Sequence, residues 1–323
     1  MLELLDIKLD GSSWEDLCVK CCRLRFQNEH FQEVPAYHKG DGGIEGFTKT
    51  GEGIVIQCYC PDDPNLSINQ LYEAQRDKMT EDINKFVENH KVLKKIGLCN
   101  ISKWLFMVPT YKDRRILEHI TKKEKFVLSC KKNKPSELSY ISDDFQIIIK
   151  VASDFKVEMA QMIRLGITDV KLDTAISEEV DWNDVESEKL ENVKRKIRAI
   201  SPEISQNKDR ENRLLDIQMK RYVSGNLEME YLGEEFPDIR DDIYKITTIF
   251  KNRVEEETLM NSDSSLNNEV YKKLSKEYGE VLENSVDYLT PDTIMRIQDH
   301  TVAKWLADCS MEFYGGSDKN EEE

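Results

Sequence analysis

Gly40-Asp41-Gly42-Gly43-Ile44-Glu45-Gly46, followed ten residues on by Ile56-Gln57-Cys58-Tyr59, is the stretch on which the fold turns. Adjacent glycines free the backbone for conformations that other residues avoid, so residues 40–43 read as a tight turn. Ile44 to Thr48 and Gly53 to Cys60 then read as a hairpin pair of strands, the second ended by Pro61-Asp62-Asp63-Pro64-Asn65. Upstream, Ser12-x-x-Glu15 reads as a capping box that opens a helix carrying Trp14, Leu17, Cys18, Cys21, Cys22 and Leu24. Phe31 to Ala36 is a short strand stopped by Pro35. Downstream come a long helix from about Ile68 to Lys95 and the apolar run Trp104 to Val108, as in a strand buried on both faces. A helix from Asp113 to Phe126 and a strand from Phe145 to Val151 close the series. The order α-β-β-β-α-β-α-β predicts a mixed sheet flanked by helices, an α/β domain over residues 1–155.

A helix bearing Glu15, a Gly-Asp-Gly-Gly turn and a strand bearing Gln57 sixteen positions after Asp41 resemble the PD-(D/E)xK restriction-endonuclease-like superfamily, and the resemblance implies phosphodiester chemistry. Cleavage needs a divalent ion to polarise the phosphate and acidify a water. Mg2+ takes hard oxygen ligands, which Glu15, Asp41 and the backbone carbonyl of Cys58 are placed to supply. Side chains two apart on a strand point the same way, so Gln57 and Tyr59 are expected to face the site while Cys58 and Cys60 face the core. The resemblance is closest to the Mrr-like branch of that superfamily, which has a Gly-Asp-x-Gly-Ile-Asp-Gly turn and a Gln-x-Lys strand. The resemblance covers the first 155 residues. It implies catalytic roles for Asp41 and Gln57, and it makes Tyr59 the position of the catalytic lysine.

Tyrosine, with a pKa near 10, supplies no fixed positive charge at neutral pH. Loss of one preorganised electrostatic group commonly costs about 100- to 1000-fold in rate. Glu45 replaces the second Asp of the turn, a milder change. A relocated lysine is the alternative. Lys20 lies about 140° around its helix from Glu15, Lys39 precedes the turn, and Lys78, on the helix after the Gln57 strand, is the better placed. Each of these residues also has a plain structural reading: Asp41 as a turn former, Glu15 as a capping residue, Tyr59 as packing.

The net charge of −16 is unevenly spread. Residues 1–150 hold 23 acidic and 23 basic side chains, so residues 151–323, with 39 and 23, carry all of it. Lys103 to Lys134 holds ten Lys/Arg against three Asp/Glu. Within it Lys103, Lys112, Arg114, Arg115, Lys122 and Lys123 are the candidates for phosphate contacts, with an ordinary solvated surface as the alternative. Eight cysteines in 323 residues do not make a disulfide scaffold, and without zinc-ligand loops Cys18, Cys21, Cys22, Cys58 and Cys60 read as small buried hydrophobes. An acidic start, Met1-Leu2-Glu3-Leu4-Leu5-Asp6, lacks the order of a signal peptide, and no apolar run nears the roughly 20 residues of a membrane span. A cytoplasmic protein without membrane contact is expected.

After residue 155 the strand signals stop. Val185, Leu190, Val193, Ile197 and Ile200 outline one amphipathic helix, Ile239 to Val254 another entered through Pro237, and Ile294 to Cys309 a third started by Thr290-Pro291. Leu227, Met229, Tyr231 and Leu232 crowd a stretch between Gly225 and Gly233 that is too short for an isolated helix. Residues 156–314 are therefore expected to form an acidic helical assembly domain, and 315–323 a disordered tail. The resemblance implies a bacterial restriction or anti-phage defence setting. On this reading the chain is a catalytically degenerate nuclease-fold subunit that binds DNA, other subunits of a defence complex, or copies of itself. An active Mg2+-dependent DNA endonuclease with a relocated lysine and a purely structural scaffold are the alternatives.

Overall fold

A computed structural model of the chain describes residues 1–35, 42–172 and 187–314. It divides into two compact units, one of residues 1–2 and 7–162, the other of residues 3–6 and 163 onward.

The first unit is built on a five-stranded mixed sheet in the order β1-β2-β3-β4-β5: Phe31–Glu33, Gly46–Thr48, Ile54–Cys58, Ile101–Met107 and Ile141–Lys150. β1, β2 and β3 are antiparallel neighbours, whereas β3–β4 and β4–β5 are parallel. The parallel steps need crossovers, and helices make them: α2 (Ile68–Glu88) with the short α3 (His90–Lys95) before β4, and α4 (Arg115–Asn133) before β5. α4 runs seven residues past the expected Phe126 and β5 starts four before Phe145, and the long helix departs further. It breaks at Asn89, whose side-chain amide donates to the Lys85 carbonyl and so competes with the helix for it.

Both faces of the sheet are covered, which is why β3 is buried throughout. On one face Val55, Trp104 and Phe106 pack with Met79, Ile83 and Phe86 of α2 and with Ile116, Ile120 and Val127 of α4. Each fully buried aromatic of this kind contributes about 1.5–3 kcal/mol. On the other face lies α1 (Gly11–Arg25), whose Trp14 indole donates to the Met107 carbonyl at 3.0 Å. The Cys22 thiol lies 3.7 Å from the Met107 sulfur on this same side. Cys18, Cys21, Cys22, Cys58 and Cys60 are all buried and free. The cap of α1 is Asp10, which accepts from the Ser13 amide at 2.9 Å, so the Ser12-Glu15 capping box does not form.

The unit also runs past residue 155. Arg25 of α1 grips Glu158 with two hydrogen bonds, at 2.9 and 2.7 Å, and its guanidinium lies 4.2 Å from the Phe155 ring centroid. A bidentate guanidinium–carboxylate pair holds geometry as well as charge, and it ties the start of α5 (Lys156–Arg164) to the sheet.

The second unit is helical: α6 (Ser187–Ile200), α7 (Lys208–Glu235), α8 (Pro237–Met260), α9 (Asn267–Ser285) and α10 (Pro291–Ala307). Val185 and the 315–323 tail lie outside the described residues. The expectation of a truncated segment between Gly225 and Gly233 is overturned, because both glycines lie inside the 28-residue α7. They act by absence of a side chain. A Cβ on Gly225 would stand 2.0 Å from the His300 ring, and one on Gly233 would stand 2.5 Å from Arg240. Lys196 is fully buried, and its ammonium donates to the Leu306 carbonyl at 2.8 Å, satisfying the end of α10. Residues 4–6 join this unit as an extended segment, with Lys171 N donating to Leu4 O and Asp6 N to Asp169 O, both at 2.9 Å. Among the described residues no helix is long and apolar enough to cross a membrane.

Candidate functional site

Of the predicted constellation, Gln57 and Lys78 lie where β2 and β3 meet α2, whereas Glu15 lies on α1, on the Cys58 side of the sheet. Gly42 and Gly43 hold left-handed φ of 71° and 83°. A Cβ on Gly43 would fall 2.2 Å from the Asp82 carbonyl, so glycine allows the lead into β2 to lie directly on α2. Asp41 itself lies outside the described residues.

Continuing the Gly46–Ile56 register by one step sets Glu45 opposite Gln57. Both side chains are buried, at 5% and 0% exposure, and the Gln57 amide nitrogen donates to Glu45 Oε1 at 2.8 Å. The same nitrogen lies 3.4 Å from the carbonyl oxygen of Cys58. Gln57 Oε1 is buried with no hydrogen-bond partner, and a buried acceptor without one costs on the order of 1–3 kcal/mol. Because Nε2 must face the Glu45 carboxylate, the orphan oxygen is a consequence of that pairing.

On α2, Lys78 meets the fully buried carboxylate of Asp82 at 3.0 Å, and Lys85 lies 3.6 Å from the same group. Burial pushes the Cys58 thiol up, its contact with the Cys18 thiol opposes that, Glu45 and Glu15 add to it, and Lys78 also opposes it. All three charged groups are thus within electrostatic reach of the end of β3. Glu15 is half-buried on α1, on the Cys58 side of the sheet, and makes no hydrogen bond or ion pair with the described residues.

Tyr59 stacks on Phe106, with centroids 6.4 Å apart and planes at 11°. Its hydroxyl is pushed up, chiefly by burial and then by Asp62 and Cys60. It is a neutral packing side chain at neutral pH. No charge stands at the position where the resemblance requires a lysine.

A divalent ion would call on Glu45, Gln57 Oε1 and the Cys58 carbonyl. These donors are right in kind, being hard oxygens. Their arrangement does not fit an ion, because the Gln57 amide nitrogen already donates to Glu45 Oε1 and lies 3.4 Å from the Cys58 carbonyl. Its two hydrogens serve the oxygens that a cation would draw together. Among the described residues no group of three or more His, Cys, Asp or Glu side chains converges as a metal site.

The basic candidates separate into two places. Lys103 is aligned with Ile54, three residues (about 10 Å) from the Gln57–Phe106 level, and is engaged by Glu52. Lys112 and Arg114 are exposed at the entry to α4, and Arg115 there is held by Asp113 and donates to Asn69 at 2.7 Å. The guanidinium of Arg115 also lies 4.2 Å from the centroid of Tyr72 on α2, with Arg76 at 5.7 Å. Lys122 and Lys123 continue along α4. Burial, then Lys123, Arg76 and Lys122, holds the His119 imidazole below its usual range. Asn69, Tyr72, Arg76 and His119 thus join a basic α2–α4 surface that sequence reading had traced on α4 alone. Their signal was the spacing 69, 72, 76 along one helix face.

Glu45 was readable as the turn's altered second acid, but strand parity also pairs it with Gln57 and gives it a stronger claim to the site. Asp82 was signalled only by its i+4 relation to Lys78. No family model, curated protein or solved structure matches this chain.

Proposed function

We propose that the first unit is a nuclease-fold module of the PD-(D/E)xK type that has lost cleavage and kept nucleic-acid binding, as a subunit of a bacterial defence complex. The observation that carries this reading is Tyr59, which stacks on Phe106 and leaves the lysine position uncharged. The Gln57 amide nitrogen supports it further, because it donates to Glu45 and lies 3.4 Å from the Cys58 carbonyl, two oxygens that a cation would draw together. DNA contact is assigned to the α2–α4 surface around Arg76, Lys112, Arg114, Arg115, Lys122 and Lys123. The acidic second unit would repel phosphates, so it is assigned to contacts with other subunits or with a second copy of the chain.

Full-length protein incubated with supercoiled plasmid and Mg2+ or Mn2+ should leave it intact. It should bind duplex DNA with an affinity that falls steeply with salt and falls again on Arg114→Ala with Lys122→Ala. Robust nicking abolished by Asp41→Ala or Glu45→Ala would replace this reading with its rival, an active endonuclease using Lys78. The proximity of Lys78, Glu15 and Glu45 to the end of β3 is the feature that favours that rival. Absence of both cleavage and salt-sensitive binding would leave a scaffold.

A further inference from the structure

The second unit encloses a cavity of about 390 Å3 between α7, α8 and α10. At one level the seam between α8 and α10 is closed by aromatic rings: Phe250 stacks on Trp305 at 5.9 Å and Tyr278 meets Trp305 edge-on at 4.9 Å. Away from these rings the helices part. Met229, Ile243, Ile297 and Trp305 form an apolar floor, all of them buried in the unit. The volume falls at the small end of the roughly 300–1,000 Å3 of small-molecule sites.

The polar groups around this floor are unequal. Thr247 and Thr301 are already committed to the Tyr278 hydroxyl. Asp308 is held by Lys189 at 2.7 Å. Lys251 and Arg240 each have a carboxylate from outside the lining, Glu255 and Asp241. His300 is kept neutral, chiefly by burial. Lys304 differs from all of these. The residue is half-buried, and among the described residues the one contact of its ammonium is the neutral Asn226 Oδ1, at 3.4 Å. The one carboxylate of the lining without a partner is Glu230, which is exposed at the rim. Acids outnumber bases 39 to 23 in this half of the chain, so a lining lysine that faces an amide is conspicuous. Partial burial of a cation is costly unless an anion comes to it.

We infer that this cavity binds a small organic anion. Its carboxylate, sulfonate or phosphate would sit on Lys304 and Asn226, and its ring or short aliphatic body on Met229, Ile243, Ile297 and Trp305. The site is separate from the nuclease-like centre and does not depend on the reading given to it.

The test uses the full chain and the fluorescent probe 8-anilinonaphthalene-1-sulfonate, which joins an aromatic body to one anionic group. A single saturable site is expected. Lys304→Met, which keeps the stem and removes the charge, should weaken it about tenfold, the usual worth of a charged hydrogen bond. Thr248→Trp, at an exposed rim position, should fill the opening and abolish saturable binding while the melting temperature holds. The uncharged analogue N-phenyl-1-naphthylamine should bind much more weakly than the sulfonate. No saturable site in the wild-type protein, or unchanged affinity in folded Thr248→Trp, would overturn the assignment. Equal affinity for the uncharged analogue would overturn the anion requirement. If Lys304→Met fails to fold, the other two measurements decide.

Discussion

Tyr59 and Phe106 lie ring on ring, 6.4 Å apart and 11° from parallel, on the helix-covered face of the sheet. The stack accounts for a side chain that has no charge to offer. Tyr59→Lys should therefore cost about 1–3 kcal/mol of stability through lost aromatic burial. It should not by itself produce plasmid cleavage, since the Gln57 amide still donates to Glu45. Chemical denaturation and a nicking assay on one preparation would check both. Cleavage by this single variant would show that the rest of the centre is intact.

Gln57→Glu exchanges the donor facing Glu45 for a second buried carboxylate. Two such groups without a shared proton or ion repel each other strongly, and a loss of about 2–4 kcal/mol at neutral pH is expected. Millimolar Mg2+ should restore part of that loss by binding only the folded state, and it should leave the wild-type melting temperature unchanged. Equal stability of the two proteins, with no response to Mg2+, would mean that Glu45 and Gln57 do not face each other.

His300 supplies the pH dependence. Burial is the main cause that lowers its pKa to about 4, with Lys304 adding to it and the Arg221 carbonyl and Asp308 opposing. A folded-state pKa below the unfolded value means that the unfolded chain binds the extra proton. Stability is therefore complete above about pH 6.5 and falls as the pH drops toward 4, by on the order of 3 kcal/mol. Urea titrations from pH 7 to pH 4 should show this slope, and His300→Gln should flatten it. An unchanged slope in that variant would assign the effect to other groups.

Gly225→Ala sets two effects against each other. Alanine favours a helix interior by about 1 kcal/mol over glycine, but its Cβ would overlap the His300 ring, at 2.0 Å from Cγ and Nδ1. Overpacking of this severity commonly costs more than that gain, so a net loss of about 1–2 kcal/mol is expected by thermal or urea denaturation. A stabilised variant would mean that His300 swings away freely.

The strands of the first unit were legible because their signals are local: apolar runs of strand length bounded by Gly, Pro and Asp. The crossover helices announced themselves by period. What escaped depends on distant partners. Gly225 and Gly233 read as helix breakers until His300, 75 residues beyond the first, and Arg240, seven beyond the second, are seen to occupy the space a side chain would need. The capping box was read at Ser12, whereas Asp10, two residues earlier, takes the cap by accepting from the Ser13 amide. Asp41 attracted attention as the conspicuous acid of the turn, whereas the pairing of Glu45 with Gln57 follows from hairpin register. The basic run on α4 was visible, but Tyr72 and Arg76 join it from another helix.

Residues 3–6 belong with the second unit, where Leu5 pairs with Val170 and Val170 in turn with Leu289. This arrangement bears on the order in which a ribosome can complete the molecule. The first unit holds all of its residues before position 163 and is free to fold while synthesis continues, as units of this size generally do. The second must wait, because residues 4–6 pair with residues 169–171, and Val170 among them gains its other neighbour, Leu289, only after that residue has emerged. Early exposure of Leu4 and Leu5, both nearly fully buried in the finished fold, is thus part of this chain's birth. A nascent chain stalled before residue 289 should have the sheet but leave its leading leucines unclaimed.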